Sequence, residues 1–171
     1  MRIARCSVLA AAACALAAVP TGSSSTAAAA THGKWLTWNV GAKTASLLLI
    51  AGYDRANNGF NFDGSGRGKL LVRIPLGWSL RVTCRNASST RHSCAIVHGP
   101  QTVTPAFRGA ASPAPRIGLR KGETARFVFR ASRAGTYRIA CLVPGHEEAR
   151  MWDVLDIGGA RLPSLSIRTG F

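Results

Sequence analysis

Residues 137–157 read YRIACLVPGHEEARMWDVLDI. Tyr137, Ile139 and Cys141 alternate with other residues, which is the period of a β-strand with one buried face. A proline and a glycine follow, and these residue types end strands and form turns. A second apolar run starts after Met151. The segment therefore predicts a strand that ends in a cysteine, a loop, and a second strand that starts beside a methionine.

The rest of the 171-residue chain repeats this pattern of short strands and turns. Phe127 and Phe129 share one face of an alternating run, and clusters of Gly, Pro, Asn and Ser separate the runs. Short strands at this spacing predict an all-β fold, a β-sandwich. We expect a long loop over Pro100–Pro115, with room for one helical turn, while Trp35 and Trp38 could form an extra strand or cap the sandwich. The predicted strands are Ala45–Ala51, Lys69–Ile74, Ser79–Thr83, Ser93–Val97, Thr124–Phe129, Tyr137–Cys141 and Asp153–Ile157.

The first thirty residues have the order of a secretory signal. A basic start is followed by an apolar run over residues 8–19 and then by a Ser/Ala-rich stretch that ends at Ala30. A membrane-spanning helix needs about 20 apolar residues and this run has about 12, so an uncleaved membrane anchor is the less favoured alternative. We predict a signal peptide over residues 1–30, one domain over residues 31–171, and export to the periplasm or the cell surface.

The cleavage site has alternatives. The small-x-small rule fits cleavage after Ala17 and after Ala30, and we favour Ala30 because residues 22–30 show no fold-forming pattern. That stretch could equally remain as a flexible tether. A lipoprotein site at Cys14 is the less favoured alternative, since the apolar run before it is short.

The chain is strongly basic, with a net charge of +15 from 22 Lys and Arg against 7 Asp and Glu. Loss of Arg2 and Arg5 with the signal leaves 20 against 7, a net charge of +13. Export and the scattering of the arginines argue against nucleic acid as the partner. We expect an acidic redox partner or an anionic membrane surface. Alternatively, carboxylates are scarce because the compartment is acidic, where protonated carboxyls would stabilise little.

The loop after the first strand carries three soft or borderline metal ligands. Cys141, His146 and Met151 follow a Cys-x4-His-x4-Met spacing, and His92, at the start of the predicted strand Ser93–Val97, can supply a second imidazole. Two histidines and a thiolate with a weak axial methionine form the ligand set of electron-transfer copper. The four residues therefore predict a single copper site of the blue type.

Other interpretations of these residues are weaker. A lone buried Cys, a loop His or a gap-filling Met is common, but all three at this spacing are not. Zinc seldom uses methionine, and its sites usually show paired ligands at short spacing. A cysteine nucleophile with a histidine base is not excluded by the spacing, yet no third orienting residue is apparent and Met151 would have no role. His32 and His98 are expected to be solvent-exposed and not to be ligands.

Several motifs in order resemble the sulfocyanin branch of the cupredoxins, to which the rusticyanins are related. The likeness runs from about Thr44 to Ile157. The motifs are Phe60-Asn61-Phe62-Asp63-Gly64, Ile74-Pro75-Leu76-Gly77-Trp78, Asn86-Ala87-Ser88-Ser89 with His92-Ser93, and Cys141-Leu142-Val143-Pro144-Gly145-His146 with Met151-Trp152-Asp153.

The resemblance implies a Greek-key β-sandwich of the cupredoxin type, one copper ion and a carrier role in respiratory chains. It places the family ligands on His92, Cys141, His146 and Met151, the same four residues that the spacing indicates. Ser93 takes the position of a residue that braces the cysteine loop by hydrogen bonds. The chain departs from the family at residue 150, where Arg150 replaces the usual glycine before the methionine, and a solvated arginine is expected there.

A second departure is a pair of cysteines, Cys84 and Cys94, where the family pattern has apolar residues. Their parity with Val82 and Ile96 points both into the core from consecutive strands. In an exported protein such a pair predicts a disulfide, whose short loop would contain His92. Two separate buried thiols are the alternative, because a disulfide requires close Cα approach.

Together these observations predict a monomeric one-electron shuttle, not an enzyme, between a cytochrome and a terminal oxidase or reductase. We expect His146 to expose its ring edge through an apolar patch of Leu142, Val143 and Pro144. A copper-trafficking or copper-buffering protein is the alternative, since it could use the same ligands. A copper enzyme would need a second site, and the chain lacks the His-x-His pairs that build one. A metal-free adhesive sandwich is the least favoured interpretation.

Overall fold

The computed structural model describes residues 34–169. That part of the chain forms strands joined by loops and one short 3-10 turn, Ala56–Gly59. It contains no helix long and apolar enough to cross a membrane. The strands are β1 (Leu36–Asn39), β2 (Thr44–Ala51), β3 (Leu70–Pro75), β4 (Ser79–Asn86), β5 (Ala95–Val97), β6 (Thr124–Arg130), β7 (Gly135–Ala140), β8 (Trp152–Gly158) and β9 (Ser164–Ile167).

The strands form two packed sheets. One has the order β1-β2-β4-β6 and the other the order β5-β7-β8-β3-β9. The pairs β2–β4 and β3–β8 are parallel and the other neighbours are antiparallel. The chain moves between the sheets after β2, β3, β4, β5 and β6, as in a Greek-key sandwich. The predicted all-β Greek-key β-sandwich is confirmed.

The core lies between the two sheets and follows from the alternation in the sequence. Along β2, β4 and β6 every second side chain is buried, and the intervening ones face outward. Phe127 and Phe129 are buried on the same face, as predicted, and so are Tyr137, Ile139 and Cys141. In the other sheet, β3 and β8 lie inside the sheet and are buried on both faces over much of their length.

The structure corrects several strand boundaries. β5 begins at Ala95 and not at Ser93, because the preceding segment bridges to Leu119 instead of β7. Two strands were not among the seven predicted, β1, which contains Trp38, and β9, which pairs with β3. The loop over residues 100–115 has no helical turn; isolated bridges such as Val97 to Pro105 hold it to the sheet. The predicted signal peptide and His32 lie outside the described residues.

Cys84 and Cys94 form a disulfide with a Cα–Cα distance of 5.9 Å. Cys84 lies on β4, whereas Cys94 immediately precedes β5, so the bond ties the two sheets together next to His92. Closing a loop of 10 residues limits the unfolded chain, which stabilises the fold by about 3 kcal/mol. Within residues 34–169, Cys141 is the free cysteine.

Candidate metal centre

Two connections bring the predicted ligands to one end of the sandwich. Cys141 directly follows β7, and the loop returns to β8 at Met151. His92 follows β4 across a short turn that the buried Asn86 holds in place. The Asn86 amide donates to the carbonyls of Thr90 and Leu119, and its oxygen accepts from the Ser88 N–H. The upstream histidine is thus positioned by an element separate from the loop.

Three donor atoms converge between the sheets. The Nδ1 atoms of His92 and His146 are 3.2 Å apart, and the Cys141 Sγ lies 3.2 Å from that of His146 and 4.0 Å from that of His92. All three residues are buried. A point equidistant from the three atoms lies about 2.0 Å from each, close to the metal–imidazole and metal–thiolate bond lengths of other protein sites. The donor set of two imidazoles and one thiolate suits copper.

The sulfur of Cys141 accepts hydrogen bonds from the protein. The Ser93 N–H donates to Sγ at 3.2 Å, and the Ser93 hydroxyl lies 3.7 Å from it. The same hydroxyl accepts from the Leu142 N–H at 2.9 Å, so the predicted bracing role of Ser93 is confirmed. The hydrogen bonds to Sγ favour the thiolate form of Cys141, and they fix the orientation of its side chain.

Burial shifts the titration of all three donors. Desolvation lowers the pKa of His92 to about 4, and the charge of the nearby His146 lowers it further. Desolvation also lowers the pKa of His146, although the negative charge of Glu148 partly opposes this shift. Desolvation raises the pKa of the Cys141 thiol, which the hydrogen bonds from Ser93 and Val143 partly offset. Both imidazoles therefore stay neutral and able to bind a cation in mild acid, whereas the thiol needs the metal to lose its proton.

Met151 is fully buried in the hydrophobic core, which also contains Cys141. Its carbonyl accepts from the Cys141 N–H and its N–H donates to the His146 carbonyl, so the methionine is held beside both loop ligands. The preceding residue, Arg150, is exposed as predicted, with a φ of 64°. That left-handed conformation favours glycine, the residue that the resemblance places there.

Comparison with known families is consistent with this geometry. The sulfocyanin (SoxE) domain matches residues 32–161, which is more than half of the chain. The chain belongs to the sulfocyanin family. Sulfocyanins are blue copper proteins of the cupredoxin class, a class whose general role is electron transfer, and membership means that the chain carries one copper ion.

The sulfocyanin of Sulfolobus acidocaldarius is 29% identical over 126 residues, which are 66% of this chain and 63% of that protein. The chain thus spans less than two thirds of this relative. Among solved structures, reduced auracyanin of Roseiflexus castenholzii is 21% identical and covers 67% of this chain and 97% of its own, with a TM-score of 0.47. A blue copper oxidase of Nitrosomonas europaea is 24% identical and covers 57% of this chain and 31% of its own, with a TM-score of 0.46.

Two glycines that the sequence analysis did not single out make room for the first histidine of this sulfocyanin-family site. A Cβ on Gly52 would lie 2.5 Å from the Ser88 side chain and 3.2 Å from the His92 Nε2. A Cβ on Gly118 would lie 2.7 Å from Val143 and 3.1 Å from the His92 backbone. Both glycines also have positive φ, which a sequence pattern without homologues does not reveal.

Contacts from distant parts of the chain hold the ligand loop. The Asn57 amide donates to the Ala149 carbonyl, across 92 positions of sequence. Glu147 forms an ion pair with Arg138, whose guanidinium stacks on the Trp152 ring at 3.9 Å. These contacts were not predicted from the sequence, because no local pattern links the residues that form them.

The surface beside the loop differs from the predicted apolar patch. Leu142 is buried in a small cluster with Ala95, Val97 and Ala140, because its backbone turns inward at Ser93. Leu142 is only 5% exposed, so it adds little to the predicted patch, although it lines the same shallow cleft as Val143, Pro144 and the half-exposed Val103. The cleft is also lined by the polar residues Gln101, Arg116, Glu147 and Glu148.

His146 lies in the chain between Gly145 and Glu147, which both line that cleft. His146 is 7% exposed, and Phe60 packs edge-on against its ring with ring centroids 4.9 Å apart. The exposed His98 lies outside the cluster of donor atoms, as predicted.

Proposed function

We propose that the protein is an exported one-electron carrier that moves electrons between a cytochrome and a terminal oxidase or reductase in an extracytoplasmic respiratory chain. His92, Cys141, His146 and Met151 would hold the copper ion. The convergence of the three buried donor atoms at bonding distance from a common point carries this proposal. The bound ion supplies reversible one-electron chemistry.

The chain's own residues would keep that chemistry fast. His92 and Cys141 are positioned by Asn86 and Ser93 through hydrogen bonds that need no metal. A site already shaped for its ion changes little when the charge of the ion changes, so the reorganisation cost is small. Burial of all three donors keeps water, and thus side reactions, away from the site.

Exchange with a partner would occur through the edge of His146. Val143, Pro144 and Val103 form the apolar part of the nearby cleft, which Arg116, Glu147 and Glu148 also line, and this mixed surface could serve for transient docking. The Cys84–Cys94 disulfide supports export, because such bonds persist in oxidising compartments. We also propose that the protein works as a monomer and catalyses no reaction itself.

The optical spectrum of the copper-loaded protein tests the assignment of ligands. We expect strong absorption at about 600 nm from bonding between Cu(II) and the Cys141 thiolate. Cys141→Ser should remove this band and leave a folded sandwich, because one buried thiol contributes little to the core. A Cys141→Ser protein that is still blue would show that the ligand assignment is wrong.

A matched pair of histidine variants provides the control. His146→Ala should lose the blue band, whereas His98→Ala should keep it, because His98 lies outside the cluster. Stopped-flow mixing of the wild type with a cytochrome c then tests the carrier role. A blue protein that exchanges no electrons but passes its copper rapidly to a chelator would favour copper trafficking.

A further inference from the structure

The outer face of the four-stranded sheet is an unusual surface. Arg81 and Arg85 on β4 and Arg126 and Arg130 on β6 are exposed, and their positions alternate with the buried residues of the same strands. All four therefore extend from the side of the sheet that faces away from the core. We call this set the arginine face.

The strand register spreads these charges evenly. Each arginine lies directly opposite a threonine, a serine or a valine of the neighbouring strand, and never opposite another arginine. The nearest arginines are diagonal neighbours, about 7 Å apart at the backbone. Over the length of β4 the arginine face extends for about 25 Å.

No carboxylate lies within ion-pair distance of the arginine face in the part of the chain that the structure describes. The opposite sheet differs, because there Arg73 pairs with Asp156 at 3.8 Å and Arg138 pairs with Glu147. Along β2, β4 and β6 every charged residue is an arginine. Four unpaired cations repel one another, and an anionic partner would remove that repulsion.

We propose that the arginine face binds the anionic headgroups of a phospholipid membrane. The planar guanidinium matches a phosphate group with two parallel hydrogen bonds. Val128, which is 54% exposed, lies opposite Arg81 within the face and can enter the interface between headgroups and acyl chains.

The composition of the face favours a membrane over a protein partner. Protein interfaces usually have aromatic anchors at the centre and a mixed polar rim. β2, β4 and β6 place no aromatic side chain outward, since Phe127 and Phe129 point into the core. A membrane presents a repeating array of anionic headgroups, so a set of evenly spaced cations can bind it without an aromatic anchor.

This orientation leaves the metal centre accessible. The ligand loop joins β7 to β8, which belong to the other sheet. A chain bound through the arginine face could therefore still present the surface around His146 to a redox partner. The inference itself does not depend on copper.

Vesicle binding of the full domain tests the proposal. The probe is sedimentation at about 0.15 M ionic strength with vesicles of phosphatidylcholine that contain about one third phosphatidylglycerol, with pure phosphatidylcholine vesicles for comparison. Arg81→Gln combined with Arg126→Gln should weaken binding to the anionic vesicles about 25-fold, or about fivefold for each arginine. The control combines Arg55→Gln with Arg161→Gln, two exposed arginines outside the four-stranded sheet. It removes the same charge and should change binding less than about threefold, since screening limits the reach of a charge to about 8 Å.

Three results would overturn the proposal. The wild type could fail to bind anionic vesicles. Alternatively, both double variants could lose vesicle binding to the same extent, which would mean that net charge and not the arginine face attracts the membrane. The arginine-face variant could also bind vesicles normally yet exchange electrons slowly with a cytochrome, which would make the face a protein-docking surface. The blue absorption band of each variant, measured in parallel, keeps these results separate from failure of the proposed function.

Discussion

Arg150 occupies a backbone conformation that suits glycine better. With a φ of 64°, an L-residue brings its Cβ close to the carbonyl oxygen that follows, at a cost of about 1–2 kcal/mol. The side chain is exposed and has no ion pair among residues 34–169. The backbone of Arg150 is hydrogen-bonded to Glu147 and Arg67, as a glycine at this position also could be, so within the described residues no ion pair of the arginine side chain offsets the strain.

We predict that Arg150→Gly stabilises the copper-free protein. Removal of the strain should outweigh the greater freedom of glycine in the unfolded chain, for a net gain of about 0.5–1 kcal/mol. Thermal unfolding should show a Tm about 2–4 °C higher. Arg67→Gly offers a partial control at φ 63°, because that arginine donates to the Asn57 side chain and would lose this contact. A Tm of Arg150→Gly below that of the wild type would contradict the strain argument.

Met151 is predicted to tune the potential without being needed for the blue colour. A weak axial donor stabilises Cu(II), so Met151→Leu should retain the band at about 600 nm and raise the reduction potential. Spectroelectrochemical titration measures both properties on one sample. If the potential falls instead, Met151 is not the axial ligand.

Two carboxyl groups, that of the buried Asp153 and that of the partly buried Asp63, accept hydrogen bonds from neighbouring strands. Asp63 accepts from the Ile50 N–H of β2, and Asp153 on β8 accepts from the Leu70 N–H of β3. The second oxygen of each carboxyl has no hydrogen-bond partner. Desolvation raises the pKa of Asp63 to about 7 and that of Asp153 to about 8, and the charge of Asp63 contributes to the shift of Asp153.

These shifts predict a fold that is more stable in acid than in base. The folded-state pKa of each carboxyl exceeds its unfolded value, so the folded state binds more protons between about pH 4 and pH 8. The contribution is fully present below about pH 4 and is lost as the pH rises through 7 and 8. His92, with its lowered pKa, acts in the opposite sense as the pH falls from about 6.5 to about 4.

Chemical denaturation of the copper-free protein at about pH 5.5 and about pH 8.5 measures the net pH dependence, to which His92 also contributes, and the Asp→Asn variants separate the carboxyl part from it. The wild type should lose on the order of 3 kcal/mol between these values. Asp63→Asn with Asp153→Asn should lose much less, because the amides cannot ionise and still accept the same hydrogen bonds. Asp156→Asn, on the exposed side of β8, should behave like the wild type. A double variant with unchanged pH dependence would exclude the two carboxyls as its source.

The net charge of the whole molecule should control encounter with an acidic redox partner. The full sequence carries a net charge of +15, or +13 without the predicted signal peptide; such a charge accelerates association at low ionic strength, and salt screens it over about 8 Å at physiological ionic strength. We therefore predict that electron transfer with the cognate cytochrome near neutral pH slows at least about tenfold when salt is added. In strong acid the partner's carboxyls are protonated, so the rate should depend only weakly on salt. Stopped-flow kinetics at both pH values measure this difference, and equal salt dependence would remove the electrostatic explanation.

The amino-acid sequence alone determined the features that lie within one segment or follow a simple period. Alternation along β4, β6 and β7 predicted the buried faces, because side chains of a strand point to opposite sides in turn. The loop from Cys141 to Met151 holds three of the four proposed ligands, so its spacing indicated copper without knowledge of the fold. The cysteine pair was recognisable from parity, and the disulfide confirmed it.

Only the tertiary structure decided which distant residues become neighbours. β9 forms because β3 offers it a partner, the Asn57 amide braces the ligand loop from 92 positions away, and Leu142 turns inward to reach Ser93. The raised pKa values of Asp63 and Asp153 depend on burial that no local pattern encodes. The scattered arginines of the sequence become one surface only when the register of β4 and β6 aligns them. Hydrogen bonding, desolvation and charge repulsion all depend on distance in space, and separation along the chain does not determine that distance.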